Sequence, residues 1–182
     1  MVQVASKFLV FGAMFATTYA LSLPKRDITQ VEADIASIST QVTSLDTAVN
    51  AFPDTGGSLT QALAINTASK NLTTTIASAT TDVQAVPLPI AESDADTIFS
   101  AVQAFVPTIV DALTAIIAKK PSFDALIVAD QLVSQDLASL NSTTSAFEAA
   151  LVAAAPADLQ SNASAIIATL NAAFSQAIAA YA

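Results

Sequence analysis

The chain has 182 residues, with fifteen acids against six bases for a formal charge of −9, and it contains neither histidine nor cysteine. So few cations cannot neutralise a row of phosphates, which argues against nucleic acid and against docking on anionic lipid. Without imidazole or thiol, the familiar triads, thiol nucleophiles and imidazole metal sites cannot be built; no metal or cofactor is implied, and stability must come from packing rather than disulfides.

Residues 1–20 have the anatomy of a secretory signal. Lys7 supplies a weakly basic start, Phe8 to Ala16 an apolar core too short to span a bilayer, and Thr18 and Ala20 the small residues ahead of a cut after Ala20. A buried N-terminal helix is the alternative. Lys25 and Arg26 form the dibasic pair that a kexin-type protease reads in the late secretory pathway; the bland alternative is a solvated linker. Cutting there makes residues 21–26 a short propeptide and Asp27 the new N-terminus. It also takes two cations from the end of a helix dipole that favours negative charge. Loss of residues 1–26 removes three cations and no acid, so residues 27–182 carry −12. This remainder, about 156 residues, fits one domain with a substantial core and no transmembrane segment. Asn71, Asn141 and Asn162 open glycosylation sequons, which in a secreted chain lie on the surface.

The first segment after the dibasic pair carries Ile28, Val31, Ile35, Ile38, Val42, Leu45, Val49 and Phe52 at alternating spacings of three and four. That is an uninterrupted heptad seam, where a strand would alternate every second residue. Thr29 with Glu32 has the pattern of a capping box at its start, and Pro53 to Gly57 ends it. Ser58 with Gln61 repeats the box ahead of a second segment with Ala62, Ile65, Ser69, Leu72, Ile76, Ala79, Val83 and Val86 on one face. Pro87 to Pro89 breaks it.

Ser93 with Asp96 is expected to cap the third segment, whose face is Ile98, Phe99, Val102, Phe105, Val106, Ile109, Leu113 and Ile116. Pro107 lies inside and should kink or split the helix, while Lys119, Lys120 and Pro121 suit its end. The fourth segment runs from about Ser122 through Leu126, Asp130, Val133, Leu137, Leu140, Thr144, Phe147 and Leu151, and Asp130 interrupts its seam. A boundary at Pro156 and Asp158 precedes the fifth, with Leu159, Ala163, Ile166, Leu170, Phe174, Ile178 and Tyr181. Helices of about 25 residues, roughly 37 Å long, fold back at each proline or glycine break. The fold class is all-α, an antiparallel five-helix bundle with its third helix kinked or split near Pro107.

Chemistry is scarce. Lys70, Lys119 and Lys120 could in form supply a serine–lysine dyad, but the first adjoins a sequon and the others sit at a helix end. Glu32, Glu92, Glu148 and most aspartates read as caps or polar-face residues, so paired carboxylates for glycoside chemistry are not expected and the chain is not read as an enzyme. Apolar surface dominates instead, at 53% hydrophobic residues with mean hydropathy +0.59. Facing alanines either pack backbones closely or leave a cavity that Phe105, Phe147 and Phe174 would wall. Residue types alone leave both readings open.

Taken with this organisation, the stretch ITQVEADIASISTQVTSLDTAVNAFPDTGGSLTQALAI from Ile28 to Ile65 resembles the fungal hydrophobic surface-binding protein A family, also called cell wall galactomannoproteins. The resemblance covers residues 27–182 and rests on the periodic pattern and its "V..LDTAV.AF…GG" ending. It implies a five-helix domain of secreted proteins, some of which adsorb to hydrophobic surfaces and recruit polyester-degrading enzymes, while others hold a fatty acid in a tunnel along the bundle. Longer relatives add a Ser/Thr-rich stalk and a lipid-anchor signal. Here Asn171, Ser175 and Gln176 interrupt the apolar run near the end, so release outside the cell is expected, with loose cell wall association as the other destination.

Three functions compete, and the resemblance itself maps no ligand residue onto this chain. As a lipid-binding module, the bundle would hold a long-chain fatty acid or similar lipid against Ile35, Val42, Phe105, Ile109, Leu113, Phe147 and Phe174, with Ser69 and Thr144 as polar contacts. Such hydroxyls more often serve a nearby backbone carbonyl. As a surface-adsorbing adaptor, it would bind hydrophobic material and recruit a secreted hydrolase. As a structural cell wall mannoprotein, it would need no ligand.

Overall fold

The computed structural model describes residues 28–182 apart from Pro89 and Ile127. The leader, the cut after Ala20, the Lys25–Arg26 pair and the expected terminus at Asp27 lie outside the described residues. Heptad spacing makes each long segment helical and selects the face that turns inward. The elements are α1 (Ile28–Ala51), α2 (Leu59–Ala85), α3 (Glu92–Ala118), α4 (Lys120–Asp124), α5 (Ala129–Ala154) and α6 (Gln160–Ala180).

The seams pack as the spacing dictates. Val31, Ile35, Ile38, Val42 and Val49 of α1 are buried, as are Ile65, Leu72, Ile76 and Val83 of α2. Burial of each such side chain contributes roughly 1.5–3 kcal/mol. On the outer faces, rich in threonine, the hydroxyls find local partners. Thr40, Thr43 and Thr47 on α1 and Thr67, Thr74 and Thr81 on α2 donate to the carbonyl four residues earlier, at 2.8 to 3.1 Å. Such back-bonds satisfy the hydroxyl but add little to helix stability, so the helices rest on tertiary packing.

Helix ends follow the sequence unevenly. At α2 the capping box forms: the Gln61 N–H donates to Ser58 Oγ at 3.2 Å, and the Ser58 N–H donates to Gln61 Oε1 at 3.1 Å. The other two boxes do not form. α1 already contains Ile28 and Thr29, so Thr29 stands within the first turn, and α3 begins one residue before Ser93, capped by Ala91 without a side-chain bond. Glu92 and Asp94 in the first turn of α3 complement its dipole instead.

Pro107 does not split α3, which is helical from Glu92 to Ala118. The missing N–H orphans the carbonyl of Gln103, and both residues are exposed, so water can serve it. Pro121 does not simply end the preceding helix either. It occupies the first turn of the short α4, where a proline costs no hydrogen bond. α4 is therefore an extra element at the turn between the third and fourth long helices.

The five long helices close into a ring. α1 packs on α2 and α3, α3 on α6, α6 on α5, and α5 on α2. Each long helix thus has two principal neighbours and faces a common axis. One end of the ring is plugged. Phe52 and Phe123, 1% and 0% exposed, stack with ring centroids 4.2 Å apart and planes 8° from parallel. The Ser122 hydroxyl donates to the Asp54 carbonyl, Lys119 pairs with Asp54 at 2.6 Å, and Tyr181 Oη donates to the Ile116 carbonyl at 2.7 Å. Lys120 pairs with Asp130 at 2.8 Å and Asp124 at 2.9 Å, and lies 4.7 Å over the Tyr181 ring. These hydrogen bonds hold the Lys120 ammonium above its ordinary range, that to Asp130 most, and hold Asp130 below its own. Asp130 therefore does not interrupt the seam. Ala129, fully buried, takes the inward position, and Asp130 turns out to Lys120.

Candidate functional site

Where five helices surround one axis, alanine and branched side chains cannot all reach the centre, and a lumen of about 130 Å³ remains. Every long helix contributes to its wall: Val31 to Leu45 on α1, Leu72 to Val83 on α2, Ala95 to Leu113 on α3, Leu140 to Ala154 on α5 and Ala163 to Phe174 on α6. The lining on α3 runs from Ala95 to Leu113, a rise of about 27 Å at 1.5 Å per residue, so the space is elongated along the bundle. It lies toward the end opposite the Phe52–Phe123 plug, where Val86, Ile90, Ala155 and Leu159 of the two interhelical turns complete the wall. It is only partly enclosed, and its half-exposed members include Phe99, Val102 and Ile109 on α3, Thr144, Leu151 and Val152 on α5, and Ala163, Ile166 and Ile167 on α6. α3 and α6 are also, by length and composition alone, apolar enough to cross a membrane; here both stand in the ring.

Six of the seven expected lining residues face this lumen: Val42, Phe105, Ile109, Leu113, Phe147 and Phe174. Ile35 does not. It is 2% exposed and packed into the hydrophobic core away from the lumen wall. Of the two expected polar contacts, Thr144 lines the lumen, whereas Ser69 faces a separate space of about 50 Å³ together with Asp136. The Ser69 hydroxyl is buried there without a hydrogen-bond partner. Beside it, Asn66 donates to both oxygens of Asp136 at 3.0 and 2.8 Å, yet burial outweighs those bonds and raises the Asp136 carboxyl above its ordinary range. Asn71 on α2 and Asn162 on α6 are exposed, and Asn141 on α5 is half-buried.

Glu148 corrects the sequence reading. Expected on a polar face, it is 9% exposed and forms part of the lumen wall, with Oε1 shielded from water and unpaired. Burial pushes its carboxyl up to about 7. A signal was present: Glu148 stands four residues after Thr144 and three before Leu151, which is seam spacing on a helix. Thr144 and Glu148, one turn apart on α5, are the two polar side chains of a wall otherwise made of hydrocarbon. Among the described residues, no group of three or more Asp and Glu side chains could hold a metal ion.

Fold and site together define a helical bundle built around an elongated apolar lumen. The chain belongs to the hydrophobic surface binding protein A family, which it matches over residues 28–153. The structure is similar to that of AfMP4p in complex with palmitic acid, with TM-score 0.80 and 32% identity over 86% of this chain and 100% of that one. It also shares its fold with two domains of the Penicillium marneffei MP1 protein. Ligand binding domain 1, complexed with arachidonic acids, has TM-score 0.76 and 15% identity over 87% of this chain and 99% of that one. Ligand binding domain 2, complexed with multiple arachidonic acids, has TM-score 0.77 and 18% identity over 87% and 98%. No curated protein sequence matches the chain significantly.

Proposed function

We propose that this protein is a secreted, non-enzymatic carrier that holds a long-chain fatty acid in the lumen between its five long helices. The observation that carries the reading is the lumen itself, elongated and hydrocarbon-walled save for Thr144 and Glu148. An extended sixteen-carbon chain measures about 19 Å, from C–C bonds of about 1.5 Å at tetrahedral angles. The wall extends about 21 Å along α1 from Val31 to Leu45. Burying about 300 Å² of acyl surface favours binding by roughly 7 kcal/mol before ordering costs. The palmitic acid complex of AfMP4p supports the same ligand class.

Val42, Phe105, Ile109, Leu113, Phe147 and Phe174 would grip the chain. Secretion follows from residues 1–20, maturation at Lys25–Arg26 from the dibasic pair, and glycosylation at Asn71, Asn141 and Asn162 from the sequons. N-terminal sequencing of the secreted protein is expected to return Asp27; Leu21 would remove the propeptide. Native mass spectrometry of the secreted protein, followed by organic extraction, tests the carrier reading. A bound mass released as fatty acid supports it, and a ligand-free mass that persists in excess palmitate contradicts it.

A second reading, adsorption to hydrophobic surfaces, is favoured by the family description and by exposed Leu59, Leu63, Leu88 and Val128. Recruitment of a secreted hydrolase would be a further step of that reading. Adsorption to polystyrene no greater than that of an equally acidic control protein would exclude it.

A further inference from the structure

Resting on the fatty-acid reading above, we propose that Glu148 is the head-group residue of the lumen. The ligand carboxyl lies against the Glu148 carboxyl, the two share one proton, and fatty-acid uptake is therefore coupled to proton uptake.

The argument starts from an unsatisfied group. Glu148 Oε1 is shielded from water and bonded to nothing, inside a wall whose only other polar side chain, among the described residues, is Thr144. An orphaned buried carboxyl oxygen destabilises the fold, and a purely hydrocarbon ligand would leave it orphaned. A ligand carboxyl beside it supplies the missing partner, and the Thr144 hydroxyl one turn away can donate to either carboxyl. Two ionised carboxylates in an apolar lumen would repel each other without screening, so the pair is stable only when it keeps a proton.

Among the described residues, nothing around the pair replaces that proton. None of the described cations lines the lumen. On α2, Asp82 is buried with a partner of its own, and exposed Lys70 faces Asp136. α6 contains no titratable residue from Gln160 to Ala180. Lys120 and Asp124 of α4, with Asp130 of α5, are paired at the plugged end. Across the lumen, Glu92, Asp96 and Asp111 of α3 are exposed and Asp94 is half-buried. On α1, Asp34 and Glu32 are half-buried, and Asp34 accepts from Gln30; Asp158 before α6 is exposed.

Burial already raises the Glu148 carboxyl to about 7, so near neutral pH about half of the ligand-free sites hold a proton ready to donate to an anionic head group, and below that pH most do. The free site loses that proton as pH rises above about 7, while the complex retains it. Affinity for a fatty acid anion should thus be level just below that pH and fall about tenfold per unit above it.

The test is calorimetric titration of delipidated protein with dodecanoate between about pH 6 and 9, in two buffers of different ionisation enthalpy, with 1-dodecanol as an uncharged control. Wild type is expected to take up close to one proton per dodecanoate at the alkaline end, and none with dodecanol. Glu148→Gln, whose amide donates at every pH, is expected to bind dodecanoate without the slope. PH-independent dodecanoate binding by wild type, or an unchanged slope in Glu148→Gln, overturns the head-group assignment and leaves the carrier reading intact. Failure of both ligands to bind at any pH overturns the carrier reading itself. The proton count on wild type decides the matter even if the variant does not fold.

Discussion

Two phenylalanines of similar burial should differ in what their removal costs, because one packs into a plug and the other borders a void. Phe123 is 0% exposed and stacked on Phe52 at 4.2 Å. Phe123→Ala should cost the upper part of the ordinary range, about 4–5 kcal/mol, because the stacked pair adds about 0.5–1.5 kcal/mol to simple burial. Phe105 is 6% exposed but forms part of the lumen wall. Atoms that face empty space lack dispersion partners on that side, so Phe105→Ala loses fewer contacts and should cost about 3 kcal/mol or less. At about 2–4 °C per kcal/mol for a chain of this size, the two variants should separate by several degrees in melting temperature. The assay is thermal unfolding of delipidated protein by circular dichroism, with urea titration as a second axis. Equal losses, or a larger loss for Phe105→Ala, would mean that the space beside Phe105 is filled in the folded protein, and the lumen would no longer support a ligand argument.

Other expectations follow from individual contacts. A Cβ at Gly57 would clash with Phe52 Cζ and meet Cε1 at 2.8 Å, and the ring is pinned by Phe123, so Gly57→Ala should destabilise by about 1–3 kcal/mol in urea unfolding. Gly56, at φ +72° with open space around it, should cost only the backbone term of about 1–2 kcal/mol on Gly56→Ala. Leu113 borders both internal spaces, so Leu113→Trp should keep the helical circular dichroism spectrum and weaken palmitate binding at least about tenfold, read by calorimetry. Stability should also depend on pH through Glu148, whose carboxyl is raised to about 7 from an ordinary 4.5. Both states are protonated below the unfolded value. As pH rises from there toward 7 the unfolded chain ionises first, so delipidated protein loses stability over that window, by about 3 kcal/mol at most. Urea midpoints across the range should show the loss in wild type and a flatter profile in Glu148→Gln.

The helices were legible because one signal repeats along the chain. Ile28 to Phe52 and Ala62 to Val86 keep strict seam spacing, and those seams form the inner faces. Tertiary context decided the ends. Ser93 and Thr29 have capping chemistry, yet each helix continues past them toward its N-terminus, and Pro121 starts a turn of helix where a stop was expected. The lumen was legible only as one of two outcomes, since alanine spacing fits close packing as well as a void. A closed ring with two principal neighbours per helix decides between them, and no local pattern encodes the closure. Ile35 illustrates the limit: it shares the α1 seam with lumen-lining Ile38 and Val42, but its rotation within the ring turns it into the core beside the lumen. Glu148 was misread because charge outweighed position. Its place beside Phe147 on the seam was the better guide.

The most direct test is a crystal structure of the delipidated protein soaked with a fatty acid brominated along its chain, with data collected at the bromine absorption edge. The account predicts anomalous density inside the ring, between Phe105 on α3, Phe147 on α5 and Phe174 on α6. Bromine found only on the outer surface, with the lumen unfilled at full soaking, would contradict it.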